Sequence, residues 1–139
     1  MAAVMAAVRA FRRPWLWLGL WWLGVLGLIY VCMMPHPPQL SDLPDTDKVE
    51  HVTAYLLLAA GAVQVYAGPR AWRWAALGLL LLGIGIEFAQ GAWTTTRSAD
   101  PFDALADALG VAAGMATALT PLRDLLWRLE TGAKRRERG

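Results

Sequence analysis

The stretch IEFAQGAWTTTRSADPFDALADALG, Ile86 to Gly110, decides the fold. It joins two apolar segments through a short polar turn and plants Glu87, Gln90, Asp103 and Asp107 inside those segments, with Arg97 and Asp100 between them. Outward from it, the chain offers four apolar stretches, at about residues 14–34, 49–67, 71–93 and 101–122. Each is near the ~20 residues that a helix rising ~1.5 Å per residue needs to cross ~30 Å of hydrocarbon. With 57% hydrophobic residues and 8 Trp in 139 positions, the composition excludes an ordinary soluble domain of this size. The expectation is an all-α integral membrane four-helix bundle. One transmembrane domain, 14–126, lies between basic cytoplasmic tails at 1–13 and 127–139, with no internal repeat and no second domain.

The first stretch follows Arg9, Arg12 and Arg13 as a signal peptide would. Its apolar run is too long for one and no small-residue cleavage site follows, so it reads as a permanent helix. The single cysteine, Cys32, allows no intramolecular disulfide and reads as a packing residue, with lipidation as the alternative.

Charge sets the orientation. Of 13 Lys and Arg, all but Lys48 and Arg97 lie in the amino-terminal tail, in the turn after helix two or from Arg123 to Arg138, while eight of the 11 acidic residues lie on the opposite side. The positive-inside rule makes both termini cytoplasmic and turns the polar motif outward. Trp15, Trp17, Trp72, Trp74 and Trp127 collect near the cytoplasmic boundary and Trp93 marks the outer end of helix three, as indoles at headgroup level do. Gly110 and Gly114 form a GxxxG on helix four, and Gly78, Gly83 and Gly85 punctuate helix three, spacings that permit close helix approach in lipid. The outer loop PHPPQLSDLPDTD, 35–47, is proline-rich and stiff. Thr46 or Asp47 is placed to cap helix two, and the tail LETGAKRRERG reads as disordered or lying on anionic lipid.

The polar residues form stripes. Asp47, Lys48, His51 and Tyr55 share one face of helix two, Glu87 and Gln90 are neighbours on helix three, and Asp103 and Asp107 are one turn apart on helix four. Glu87 and Asp107 each lie six residues from a helix end, ~9 Å deep. An ionised carboxylate there costs on the order of 2.5 to 3.5 kcal/mol unless it faces the protein interior and finds a partner. Lys48, Arg97 and His51 are the available partners. Asp47, Asp100 and Asp103 are each explained as well by helix capping and first-turn charge; Glu87 and Asp107 have no such explanation.

The order D-K-x-x-H at Asp47 to His51, E-x-x-Q at Glu87 to Gln90, R-x-x-D at Arg97 to Asp100 and D-x-x-x-D-x-x-G at Asp103 to Gly110 resembles the VanZ-like membrane protein family. The match runs from helix two to the end of helix four. The resemblance implies a small multi-spanning bacterial envelope protein, in a family named for a link to resistance to the glycopeptide teicoplanin and mostly without settled biochemical activity. The family's characteristic polar residues map onto Asp47, Lys48, His51, Glu87, Gln90, Arg97 and Asp103. This chain departs from the family in carrying Asp107 where Asn is usual.

Three functions fit these residues. The first is an outer-leaflet pocket that binds or modulates a lipid head group or lipid-linked cell-wall intermediate, with Lys48 and Arg97 meeting phosphate or carboxylate. The second is a membrane hydrolase or transferase, with His51 as general base or with His51, Glu87, Asp103 and Asp107 around a divalent cation. The third is a structural subunit locked by interhelical hydrogen bonds. The sequence has no HExxH, GxSxG or Cys cluster. It requires no cofactor, points to no nucleic-acid partner and leaves the oligomeric state open.

Overall fold

The structure, a computed structural model, describes residues 7–37, 46–93 and 100–136, with side chains through residue 132. The described residues form five α-helices and no strand: α1 (Pro14–Cys32), α2 (Thr46–Val65), α3 (Gly68–Trp93), α4 (Pro101–Ala116) and α5 (Leu125–Arg136), with 3-10 turns at Thr117–Leu119 and Pro121–Asp124 before α5.

Local chemistry sets the boundaries. Proline opens α1 and α4, where a missing N–H costs nothing and the fixed φ is already helical. Asp100 caps α4 by accepting from the Phe102 N–H. Only Tyr66 and Ala67 separate α2 from α3, and Gly68 makes this reversal with φ +83°, a conformation that favours glycine. Helix four was expected to reach residue 122. It stops at Ala116 and passes through 3-10 turns, because Pro121 lacks an N–H and drives Thr120 into extended geometry. Of the two expectations for the tail, disordered or surface-lying, the first does not hold, since the tail is helical through Arg136.

Three segments are long and apolar enough to cross a membrane: Pro14–Cys32, Gly68–Trp93 and Pro101–Leu119. Four were expected. The missing one is α2, which begins at Thr46, earlier than the expected 49, and so includes Asp47 and Lys48 as well as Glu50 and His51.

This polar helix is the one the others surround. It touches α1, α3 and α4, and its Tyr55, Ala59, Ala62 and Val63 are fully buried. Its closest partner is α4, where Gly110 and Gly114 lie against the α2 backbone: a Cβ on either would stand 2.5 Å from the Val52 or Leu56 carbonyl oxygen. The outer faces are apolar. Leu23 and Leu26 of α1, Leu81 and Phe88 of α3 and Leu105 and Leu109 of α4 are all exposed, while the buried polar residues are His51, Glu87, Gln90, Asp103 and Asp107. This is the reverse of a water-soluble protein.

At the opposite end, residues 7–13 are not a loose tail. The Arg9 N–H donates to the Val65 carbonyl at 2.9 Å and the Ala67 N–H to the Ala7 carbonyl at 2.8 Å. Val8 and Phe11 are buried beside Leu18 and Val65.

Candidate functional site

The antiparallel run of the helices brings the N-termini of α2 and α4 and the C-termini of α1 and α3 to one end. Every described polar residue singled out in the sequence gathers there. From α2, successive turns contribute Asp47 and Lys48, then His51, then Tyr55; α3 adds Glu87 and Gln90; α4 adds Asp100, Asp103 and Asp107.

The deepest pair is His51 and Asp107, with 2.8 Å between Nδ1 and Oδ1 and both side chains buried. A carboxylate can only accept, so the proton of a neutral imidazole resides on Nδ1 and the lone pair is left on Nε2. Tyr55 Oη is fully buried without a hydrogen-bond partner among the described residues, as is Glu87 Oε1. Space around them is kept by Gly83, where a Cβ would stand 2.6 Å from Asp107 Oδ2 and 3.2 Å from Tyr55 Oη.

Nearer the surface, Lys48 Nζ is held by three carboxylates: Asp100 Oδ2 at 3.1 Å, Asp103 Oδ1 at 3.3 Å and Asp47 Oδ2 at 3.4 Å. The Asp100 carboxyl is held below the usual carboxylate range by the Phe102 N–H and then by Lys48. The Asp100 N–H in turn donates to Glu87 Oε2 at 2.8 Å. Gln90 donates to the Cys32 carbonyl at 2.8 Å, tying α3 to the C-terminus of α1.

The partners therefore differ in part from those expected. Lys48 and His51 take Asp103 and Asp107, whereas Glu87 finds a backbone N–H instead of a cation. Arg97, the remaining expected partner, lies outside the described residues. Asp100 and Asp103 are more than caps: Asp100 caps α4 and also binds Lys48, and Asp103 is a buried member of the centre. The sequence reading passed over the Gly83 gap and the Cys32 carbonyl. Gly83 lies one turn before Glu87, a small residue on the polar stripe, and that spacing was the available signal.

One ring nitrogen of His51 and one carboxylate oxygen each from Glu87 and Asp103 lie within 4.8 Å of one another. A cavity of about 100 Å³ opens onto His51 beside Cys32, Asp47 and Glu50. A wider groove of about 380 Å³ runs down the apolar surface between α2 and α4, from Lys48 past Val52 and Phe102 to Leu109. The centre thus offers an oriented base or ligand nitrogen, an excess of buried carboxylate oxygens and a neutralised lysine at the head of an apolar groove.

Comparisons with protein families, with curated proteins and with solved structures find no match for this chain.

Proposed function

We propose that the chain is a multi-pass protein of the bacterial inner membrane, with four helices through the bilayer and both ends cytoplasmic, whose outward-facing acidic centre binds the head group of a lipid or lipid-linked cell-wall component. The observation that carries this reading is Lys48. It belongs both to the carboxylate cluster and to the groove between α2 and α4, so an acyl or prenyl chain lying in the groove would bring its polar end to the cluster. The VanZ-like motif order supports the same class, and with it an effect on teicoplanin susceptibility.

The charge balance refines which head group fits. Lys48 is already shared among three carboxylates, so a bare phosphate meets more repulsion than attraction, whereas sugar hydroxyls and amines find acceptors in Asp47, Glu50 and Asp103. Native mass spectrometry of the protein with a polyprenyl-linked amino sugar checks this. Asp47→Asn is expected to weaken its binding about tenfold, ~1.4 kcal/mol, at unchanged membrane abundance. Equal retention of the sugar-linked lipid and plain phospholipid would reject the reading.

A second reading follows from the His51–Asp107 pair. A buried imidazole oriented by a carboxylate is the arrangement of a general base, which fits a membrane hydrolase or transferase acting on the same lipid-linked substrate. Turnover of the bound lipid, lost in His51→Ala while binding remains, separates catalysis from binding alone.

A further inference from the structure

We infer that the buried centre is a divalent cation site, formed by His51 Nε2, Glu87 and Asp103, with Asp107 orienting the histidine from behind. This stands apart from the lipid reading, since it concerns what fills the centre whether or not a lipid docks at the groove.

The three ligand-bearing residues come from three different helices, α2, α3 and α4, and one possible ligand atom of each lies within 4.8 Å of the other two. A first-row ion that holds nitrogen and oxygen at about 2.0 to 2.2 Å spaces its ligands by at most about 4.4 Å, so closure needs only small side-chain rotations. Each ligand has a free atom. His51 commits Nδ1 to Asp107, which leaves Nε2. Glu87 commits Oε2 to the Asp100 N–H, and its Oε1 is buried with no partner among the described residues. Asp103 gives Oδ1 to Lys48 and retains Oδ2. A carboxylate on the far nitrogen of a ligating histidine is the recurrent outer support of metal sites, fixing both tautomer and ring orientation.

Charge argues the same way. Among the described residues, the buried carboxylates Glu87, Asp103 and Asp107 face one lysine and a histidine. Asp47 and Asp100 share that same lysine, so the buried carboxylates keep a net negative charge that a divalent ion offsets. Oxygen deep in the bundle without a donor is costly; a cation satisfies Glu87 Oε1. One imidazole with two carboxylates matches Mn²⁺ or Zn²⁺ better than Ca²⁺ or Mg²⁺, whose preferred sets are all oxygen.

The test uses the full chain in lipid-free detergent after chelator treatment, titrated with Mn²⁺ and followed by electron paramagnetic resonance. The expected result is one ion per chain, displaced by Zn²⁺, with a directly coordinated nitrogen in the pulsed spectrum. The chain has only two histidines, His36 and His51, so the nitrogen coupling must persist in His36→Ala. Glu87→Gln and Asp103→Asn are expected to raise the dissociation constant more than 100-fold, and Asp107→Asn about 10- to 100-fold. The wild-type spectrum needs no variant to fold. No stoichiometric uptake, uptake without nitrogen coupling, or coupling lost in His36→Ala each overturns the site, and none of these bears on lipid retention at Lys48.

Discussion

The glycines of α3 and α4 separate into two kinds once their surroundings are known. A Cβ at Gly110 meets the Val52 carbonyl at 2.5 Å and Tyr55 Cβ at 2.9 Å, whereas one at Gly78 or Gly85 meets nothing within 4 Å. Backbone cannot swing aside as a side-chain tip can, so Gly110→Val is expected to destabilise by about 1–3 kcal/mol or more, read from unfolding in detergent. Gly85→Ala is expected to be neutral or to stabilise, by up to about 1 kcal/mol, since alanine is the better helix former. Equal effects at the two positions would mean that α2 and α4 do not touch as described. The sequence marked both as small residues at helix spacing. Which of them faces a neighbour depends on the rotation of each helix, and a one-dimensional spacing does not carry that.

Between elements, the end opposite the polar centre is fastened by the residues before α1. Arg9 donates to the carbonyls of Val63 and Tyr66 at 3.1 and 3.2 Å and to Asp124 Oδ1 at 2.6 Å. Trp17 Nε1 and the Arg12 N–H both donate to Glu130, at 3.0 and 2.8 Å. Arg9 holds the Asp124 carboxyl below the usual carboxylate range. A depressed folded-state value means that the pair stabilises at pH above the ordinary carboxylate range and loses that contribution as pH falls through the folded value. The melting temperature of the wild type is therefore expected to exceed that of Arg9→Ala at pH 7, and the gap to narrow as pH drops below about 4, leaving the part that belongs to the Val63 and Tyr66 carbonyls. A gap independent of pH would remove Asp124 from the account. Read as sequence, Arg9 was one more cytoplasmic charge and Asp124 one acid in a basic tail. Their pairing spans 115 residues, beyond the reach of local pattern.

At the scale of the molecule, the apolar exterior and polar interior were legible early, because hydropathy is summed over whole segments and tolerates local exceptions. The site was legible for a different reason: helical periodicity set Asp47, Lys48, His51 and Tyr55 on one face, and Asp103 and Asp107 on another. Which carboxylate takes which cation was not legible, because that depends on how α2 and α4 are rotated against each other. The orientation in the bilayer is checked by labelling with a membrane-impermeant maleimide. His36→Cys is expected to react from outside the cell and Arg128→Cys only after permeabilisation, Cys32 being buried. The opposite pattern would turn the acidic centre toward the cytoplasm.

The fastening around Arg9 also has a bearing on biogenesis. The segment 7–13 leaves the ribosome before any of its partners exist: Tyr66 follows 57 residues later and Asp124 after 115. Between those two moments α3 and α4, which run antiparallel, are made. Arg9 finds all its acceptors only when both helices have packed, so the contact reports on completed assembly of the bundle. A chain in which α4 failed to pack would keep Arg9 on the Val63 and Tyr66 carbonyls but without Asp124, and so with an uncompensated charge at that end.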